Sequence, residues 1–227
     1  NVGYKTESYL KSVFPPINAD LHINGRVLPN PELIETILRL QKGDYITFGD
    51  TTIAYHTAQE NRLSYTSEIT SVTRCHNLFT YANQEIKNDF ELLTKDRKSQ
   101  DLNESNMVIG DSPVFIEEGA EVYAAVFNTL DGLIYIGKDA LVMEGALIRG
   151  PFALGESSTI KMGAKIYGGT SIGPHCKVGG EVSNSVLFGY SNKGHDGFLG
   201  NSVLGEWCNL GADTNTSNLK NNYDEVK

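Results

Sequence analysis

The chain has 227 residues, 40% of them hydrophobic, and a net charge of −9, so it can bury a real core as one large domain or two modest ones. The acidic balance and the lack of a Lys/Arg cluster exclude a phosphate-gripping face for nucleic acid, and no apolar run approaches the roughly 20 residues that span a bilayer. Three cysteines (Cys75, Cys176 and Cys208) with no Cys-x-x-Cys pair, and no signal-peptide pattern, fit a reducing cytoplasm, which is the expected location, and offer no thiolate zinc site.

The first half mixes helix and strand. Asn30-Pro31-Glu32 reads as an N-cap, a proline at the first helical position and an acidic first turn,. Leu33, Ile34, Ile37 and Leu38 then follow at helical spacing, and Gly43 supplies the stop,. Tyr45–Phe48 and Thr52–Tyr55 flank Gly49-Asp50, a hairpin signal,. A second helix is expected from Tyr81 to Leu93, with Ile86, Phe90 and Leu93 on one face,. The polar stretch from 94 to 106 reads as a linker, placing the domain boundary at 106/107.

From Met107 the pattern changes. Four glycines precede residue 108, leaving 19 of the 23 after it. Apolar residues recur at six-residue intervals at Ile136, Val142, Ile148, Leu154, Ile160, Ile166, Ile172 and Val178. That period fits neither a helix nor simple alternation. Two places before them stand mostly small residues: Ala140, Ala146, Ser158, Ala164, Thr170 and Cys176, with Phe152 among the exceptions. Three such hexads close a triangular coil of about 18 residues, and stacked coils make a left-handed parallel β-helix. The apolar residue points into the prism and the small one fits the tight corner. The fold expected is mainly β: this helix over 107–227, preceded by a smaller α/β domain. After an interruption the register is expected to resume at Phe198, Leu204, Leu210 and Thr216. No cap is visible before Lys227, so the polypeptide is expected to continue beyond it.

Chemistry concentrates where the period fails, between Val178 and Phe198. Ser191-Asn192-Lys193-Gly194-His195-Asp196-Gly197 is polar and glycine-rich, and such a segment is expected to project as a surface loop. A histidine there has the pKa range of a general base. The run from Lys193 through Gly194-His195 and Phe198 to Asn209-Leu210-Gly211-Ala212-Asp213-Thr214 and Asn218 resembles the acetyltransferase domain of the bifunctional N-acetylglucosamine-1-phosphate uridyltransferase/glucosamine-1-phosphate acetyltransferase family. That family reads Gly-His, an aromatic residue three places on, then Asn-[apolar]-Gly-Ala-Gly-Thr and an Asn-containing strand.

The resemblance implies that His195 takes the proton of a sugar amine attacking the thioester of acetyl-CoA. It implies sugar contacts at Phe198, Asn209 and Asn218, and a wall for acetyl-CoA at Ala212. Phe198 stands in place of a tyrosine, and Asp213 in place of a glycine. The family's phosphate-binding arginine falls at Tyr167 and its lysine at or near Ser183, so both cations are replaced. The first 106 residues look like the tail of a diverged sugar nucleotidyltransferase; its glycine-rich nucleotide loop and any Mg2+ site are not visible in this chain, and Asp20 or Lys42 carry no motif that would assign them a role. A homotrimer is expected, because the family's acyl sites lie between subunits. The runner-up is a regulatory or scaffolding homologue whose catalysis has decayed. A gamma-class carbonic anhydrase would need three zinc-binding histidines, and the helix region holds His175 and His195 alone, so a metal site is not expected. His175, and the acidic residues Asp111, Glu117, Glu118 and Glu121, read as solvated surface, and Trp207 as packing or a subunit contact.

Overall fold

A computed structural model describes residues 3–57 and 59–216. The chain divides into two compact units, Asn1–Thr73 and Arg74–Lys227.

In the first unit, β1 (Leu21–Ile23), β2 (Val27–Leu28), α1 (Pro31–Leu38), β3 (Asp44–Phe48), β4 (Thr51–His56), β5 (Asn61–Ser64) and β6 (Thr70–Ser71) follow in order. The four-stranded sheet runs β1-β4-β3-β5, with β5 parallel to β3, and β2 pairs with β6. The start of α1 is as expected: the Asn30 side chain accepts from the Leu33 N–H at 2.8 Å, with Pro31 at the first helical position. Leu33 and Ile37 pack from α1 against Ile46, Ile53 and Ala54 of the hairpin. Ile34 and Leu38 from the same apolar set stay exposed.

The second unit is a parallel β-helix with one long helix, α2 (Asn77–Thr94), packed against it. Three sheets form its faces. Face one contains the strands from Met107–Ile109 to Phe198–Gly200, face two those from Val114–Ile116 to Val203–Leu204, and face three those from Glu121–Val122 to Asn192–Lys193. All pairings between consecutive coils are parallel, for example Ile148 with Ile166 and Ile160 with Val178. The eight residues of the six-residue ladder are each at most 2% exposed. Small side chains at Ala140, Ala146, Ser158, Ala164, Thr170 and Cys176 are buried as well. The physical reason for the hexad is thus visible in the molecule: each apolar side chain stacks on its counterpart one coil away, and burial of each contributes roughly 1.5–3 kcal/mol.

The helix α2 lies in the same compact unit as the β-helix, and the division between the compact units falls at 73/74. Its residues Ile86 and Phe90 are buried, and outward-facing Ala153 and Ser171 of face two make room beside it. Arg97 pairs with Glu117, which also accepts from Tyr135 Oη at 2.5 Å, while Arg97 lies over the Phe115 ring. Burial and the Glu117 hydrogen bond push Tyr135 up to about 12.

The stretch expected as a linker is instead a cap on the first coil. Gln100 N–H donates to the Ile116 carbonyl at 2.7 Å and its side chain to the Ala120 carbonyl at 2.9 Å. Ser99 Oγ accepts from Ile116 N–H, Ser105 Oγ from Ala124 N–H, and Asn106 Oδ1 from Ala125 N–H. Side chains therefore satisfy the strand edge that a first coil would leave unpaired, and Leu102 packs on the core. Short polar residues suit this task, which is why composition made them look like a linker.

Candidate functional site

The coil shortens after Val178. Val178 stacks on Lys193 and Val182 on Leu199, where full 18-residue coils would have brought up Asp196 and Gly200. The tightened corner between faces three and one uses two glycines with positive φ. A Cβ at Gly180 (φ +71°) would lie 2.8 Å from the carbonyl oxygens of His195 and Gly197. One at Gly197 (φ +119°) would collide with the carbonyl of Thr214, so glycine is required there.

This shortening corrects the expected projecting loop. Asn192–Lys193 is a strand paired with Lys177–Val178, and Ser191 and Lys193 are each 1% exposed. What reaches solvent is the turn that follows, with His195 and Asp196 exposed at its tip. The register also differs at one position. Leu199, not Phe198, is the interior residue, and Leu204 and Leu210 follow it at the core.

Phe198 is half-buried on face one, in the column of Glu181. Its N–H donates to Asn215 Oδ1 at 2.7 Å and its carbonyl accepts from Thr216 N–H at 2.9 Å, so the following coil fixes its backbone. Asn209 is exposed and bridges to Asn192 on face three; its Oδ1 accepts from Asn192 Nδ2 at 2.9 Å. The His195 corner therefore stands between Phe198 on one face and Asn209 on the next. Ala212 is exposed, two residues before Thr214, whose carbonyl faces Gly197. Asn218 lies outside the described residues.

Tyr167 and Ser183 sit elsewhere. Tyr167 follows the face-one strand Lys165–Ile166 and Ser183 ends the next one, Glu181–Ser183, at the corner leading to face two; the Tyr167 N–H donates to the carbonyl of Val182, beside Ser183, at 2.8 Å. Tyr167 shares a shallow cleft on face one with Ile109, Leu147, Arg149 and Lys165. Two cations thus lie beside a position where the resemblance had marked a lost one, although Arg149 is 3.7 Å from Asp131. The expected residues form two groups at opposite edges of face one.

Sequence reading missed two features. Lys193 occupies an interior ladder position, and its Nζ donates to the carbonyls of Gly179 at 3.1 Å and His195 at 2.6 Å. The signal was present, since it follows Ser191 by two places and Leu187 by six, but a charged residue there read as loop. The second is a ring column at the corner between faces two and three. His175 stacks on Tyr190 at 4.9 Å and Tyr190 on Trp207 at 4.6 Å, each residue having positive φ. Each stands one place before a small corner residue, Cys176, Ser191 or Cys208. Trp207 thus stacks on Tyr190 of its own chain while most of its surface stays exposed, and His175 stands on a different corner from His195. Among the described residues, no group of three or more His, Cys, Asp or Glu side chains could hold a metal ion, and no helix is long and apolar enough to cross a membrane.

The pattern of the sugar nucleotidyl transferase family matches residues 1–98. A curated relative, the bifunctional protein GlmU of Trichodesmium erythraeum (strain IMS101), is 33% identical over 95 residues, which is 41% of this chain and 19% of the relative. The chain thus matches about a fifth of that relative's length. Through these partial matches the chain is similar to the GlmU-like family.

Proposed function

We propose that this chain belongs to an enzyme of sugar-nucleotide biosynthesis and that its β-helix transfers an acetyl group from acetyl-CoA to the amine of an amino sugar phosphate, such as glucosamine-1-phosphate or a relative. One observation carries the reading: the exposed His195 imidazole is held on a glycine-bounded corner between Phe198 and Asn209. In the reaction the amine nitrogen attacks the thioester carbonyl, His195 accepts the proton, and the coenzyme A sulfur leaves. Neutral imidazole is the competent form. Phe198 offers a flat apolar surface to the sugar ring, Asn209 an amide, and Ala212 a small wall beside the thioester. Lys165 lies two strands and Arg149 three strands down the stack from Phe198, in a neighbouring cleft, about 10 and 15 Å away at the usual spacing between strands, and they suit the acceptor's phosphate. In a homotrimer a second subunit would complete the site.

A specific observation favours the scaffolding alternative: the Asn209 amide is already tied to Asn192, and the positions of Tyr167 and Ser183 carry no cation. The deciding experiment is acetyl-CoA turnover by the full-length protein with a panel of amino sugars and their phosphates. His195→Ala should lower the rate roughly 10²–10⁴-fold without altering the melting temperature. A protein that turns over no acceptor, or a fully active His195→Ala variant, would sink the mechanism.

A further inference from the structure

We infer that Lys193 is a positioning residue that fastens the His195 corner to the interior of the β-helix. The inference rests on the reading of His195 as the general base. In face three the interior positions preceding Lys193 are Val122, Val142, Ile160 and Val178, all aliphatic and buried. A lysine in that ladder is costly unless its ammonium is satisfied. Its Nζ reaches two backbone carbonyls, those of Gly179 and His195.

The shortened coil explains why these acceptors exist. Removing residues between Val178 and Val182 draws the backbone of 179–180 against that of 194–197, so close that Gly180 has no room for a side chain. An aliphatic residue at 193 would leave the His195 carbonyl without this donor and forfeit the hydrogen bond,. With lysine the carbonyl is gripped from inside, and the imidazole of the same residue stands on a backbone that cannot swing. Burial lowers the Lys193 pKa, an effect that Asp196 partly offsets. The arrangement tolerates either protonation state, because even a neutral amine keeps two N–H groups for two carbonyls.

Lys193→Met tests this, since it keeps the length and apolar stem but removes the donor. Val142→Ala, in the same ladder three coils earlier, serves as the control for simple loss of stability. Two quantities are read in the full-length protein: amide hydrogen exchange of residues 194–197, and kcat against acceptor KM. In Lys193→Met, exchange at 194–197 should quicken tenfold or more and kcat should fall at least tenfold with KM little changed. Val142→Ala should leave both at wild-type values. If Lys193→Met does not fold, Lys193→Gln, which retains a shorter donor, should show the same two effects in smaller measure. Wild-type exchange at 194–197 in the folded variant would overturn the inference, and so would faster exchange with kcat unchanged. A wild-type protein without turnover would defeat the role of His195, and the positioning role with it, while the exchange data would still show whether Lys193 holds the corner.

Discussion

Replacing Ile160 by alanine tests the hexad ladder quantitatively. Ile160 is fully buried on face three between Val142 and Val178. Alanine removes three carbons, worth about 2.4 kcal/mol at roughly 0.8 kcal/mol per buried methylene. The stacked neighbours are held by their own coil hydrogen bonds and collapse little, so a cavity term adds to this and brings the loss to about 3–4 kcal/mol, within the usual range for such truncations. At roughly 2–4 °C per kcal/mol for a unit of this size, the melting temperature should drop by about 6–16 °C. In urea the midpoint should fall with the slope unchanged. Lys138→Asp is the matched control. Lys138 is exposed, and the bond it makes to the next coil, accepted from Ser157 N–H at 2.8 Å, uses only its backbone carbonyl. Its substitution should cost no more than about 0.5 kcal/mol. Equal losses at the two positions, or a loss below about 1 kcal/mol at Ile160, would refute the ladder as the source of stability.

Asn209→Ala should chiefly raise the acceptor KM and leave kcat nearly unchanged, as expected of a group that binds ground and transition states alike; a fall confined to kcat would contradict that role. The raised pKa of Tyr135 means that its neutral form is favoured on folding, so its contribution is complete below pH 10, the unperturbed value, and is lost as pH rises to about 12,. Denaturation of the wild type and of Tyr135→Phe between pH 9 and 12 should therefore converge as pH rises, and a constant difference would argue against it. Native mass spectrometry of the full-length protein should report three copies, with a monomer as the refuting result.

The β-helix was legible because each interior residue meets a counterpart at a fixed interval, and the eight positions from Ile136 to Val178 repeat it without a break. Legibility ended where the backbone kept its stacking while the count of residues changed. Lys193 is the clearest case: its polarity argued for a loop, but two carbonyls turned inward by the short corner make a donor suitable inside. The slip from Leu199 to Phe198 has the same origin, because both are apolar and only the shortened turn decides between them. The role of 99–106 was hidden for another reason. Capping depends on which carbonyls and N–H groups are left over at the first coil, and that is a property of the assembled strands rather than of any local pattern. The His195 corner was found through its Gly-His neighbourhood, whereas the separation of Tyr167 and Ser183 from it follows from coil geometry that spacing alone does not reveal.

The cap also bears on growth. A stack of parallel strands can be lengthened by any chain that offers a complementary edge, which is how ordered aggregates begin. At the Val114–Ile116 end, Ser99, Gln100 and Asn106 have already taken backbone groups that an incoming strand would need. Templated addition at that end must first displace these side chains. The first coil thus has the protection that a parallel stack needs at its exposed edge, supplied by the chain that leads into it,.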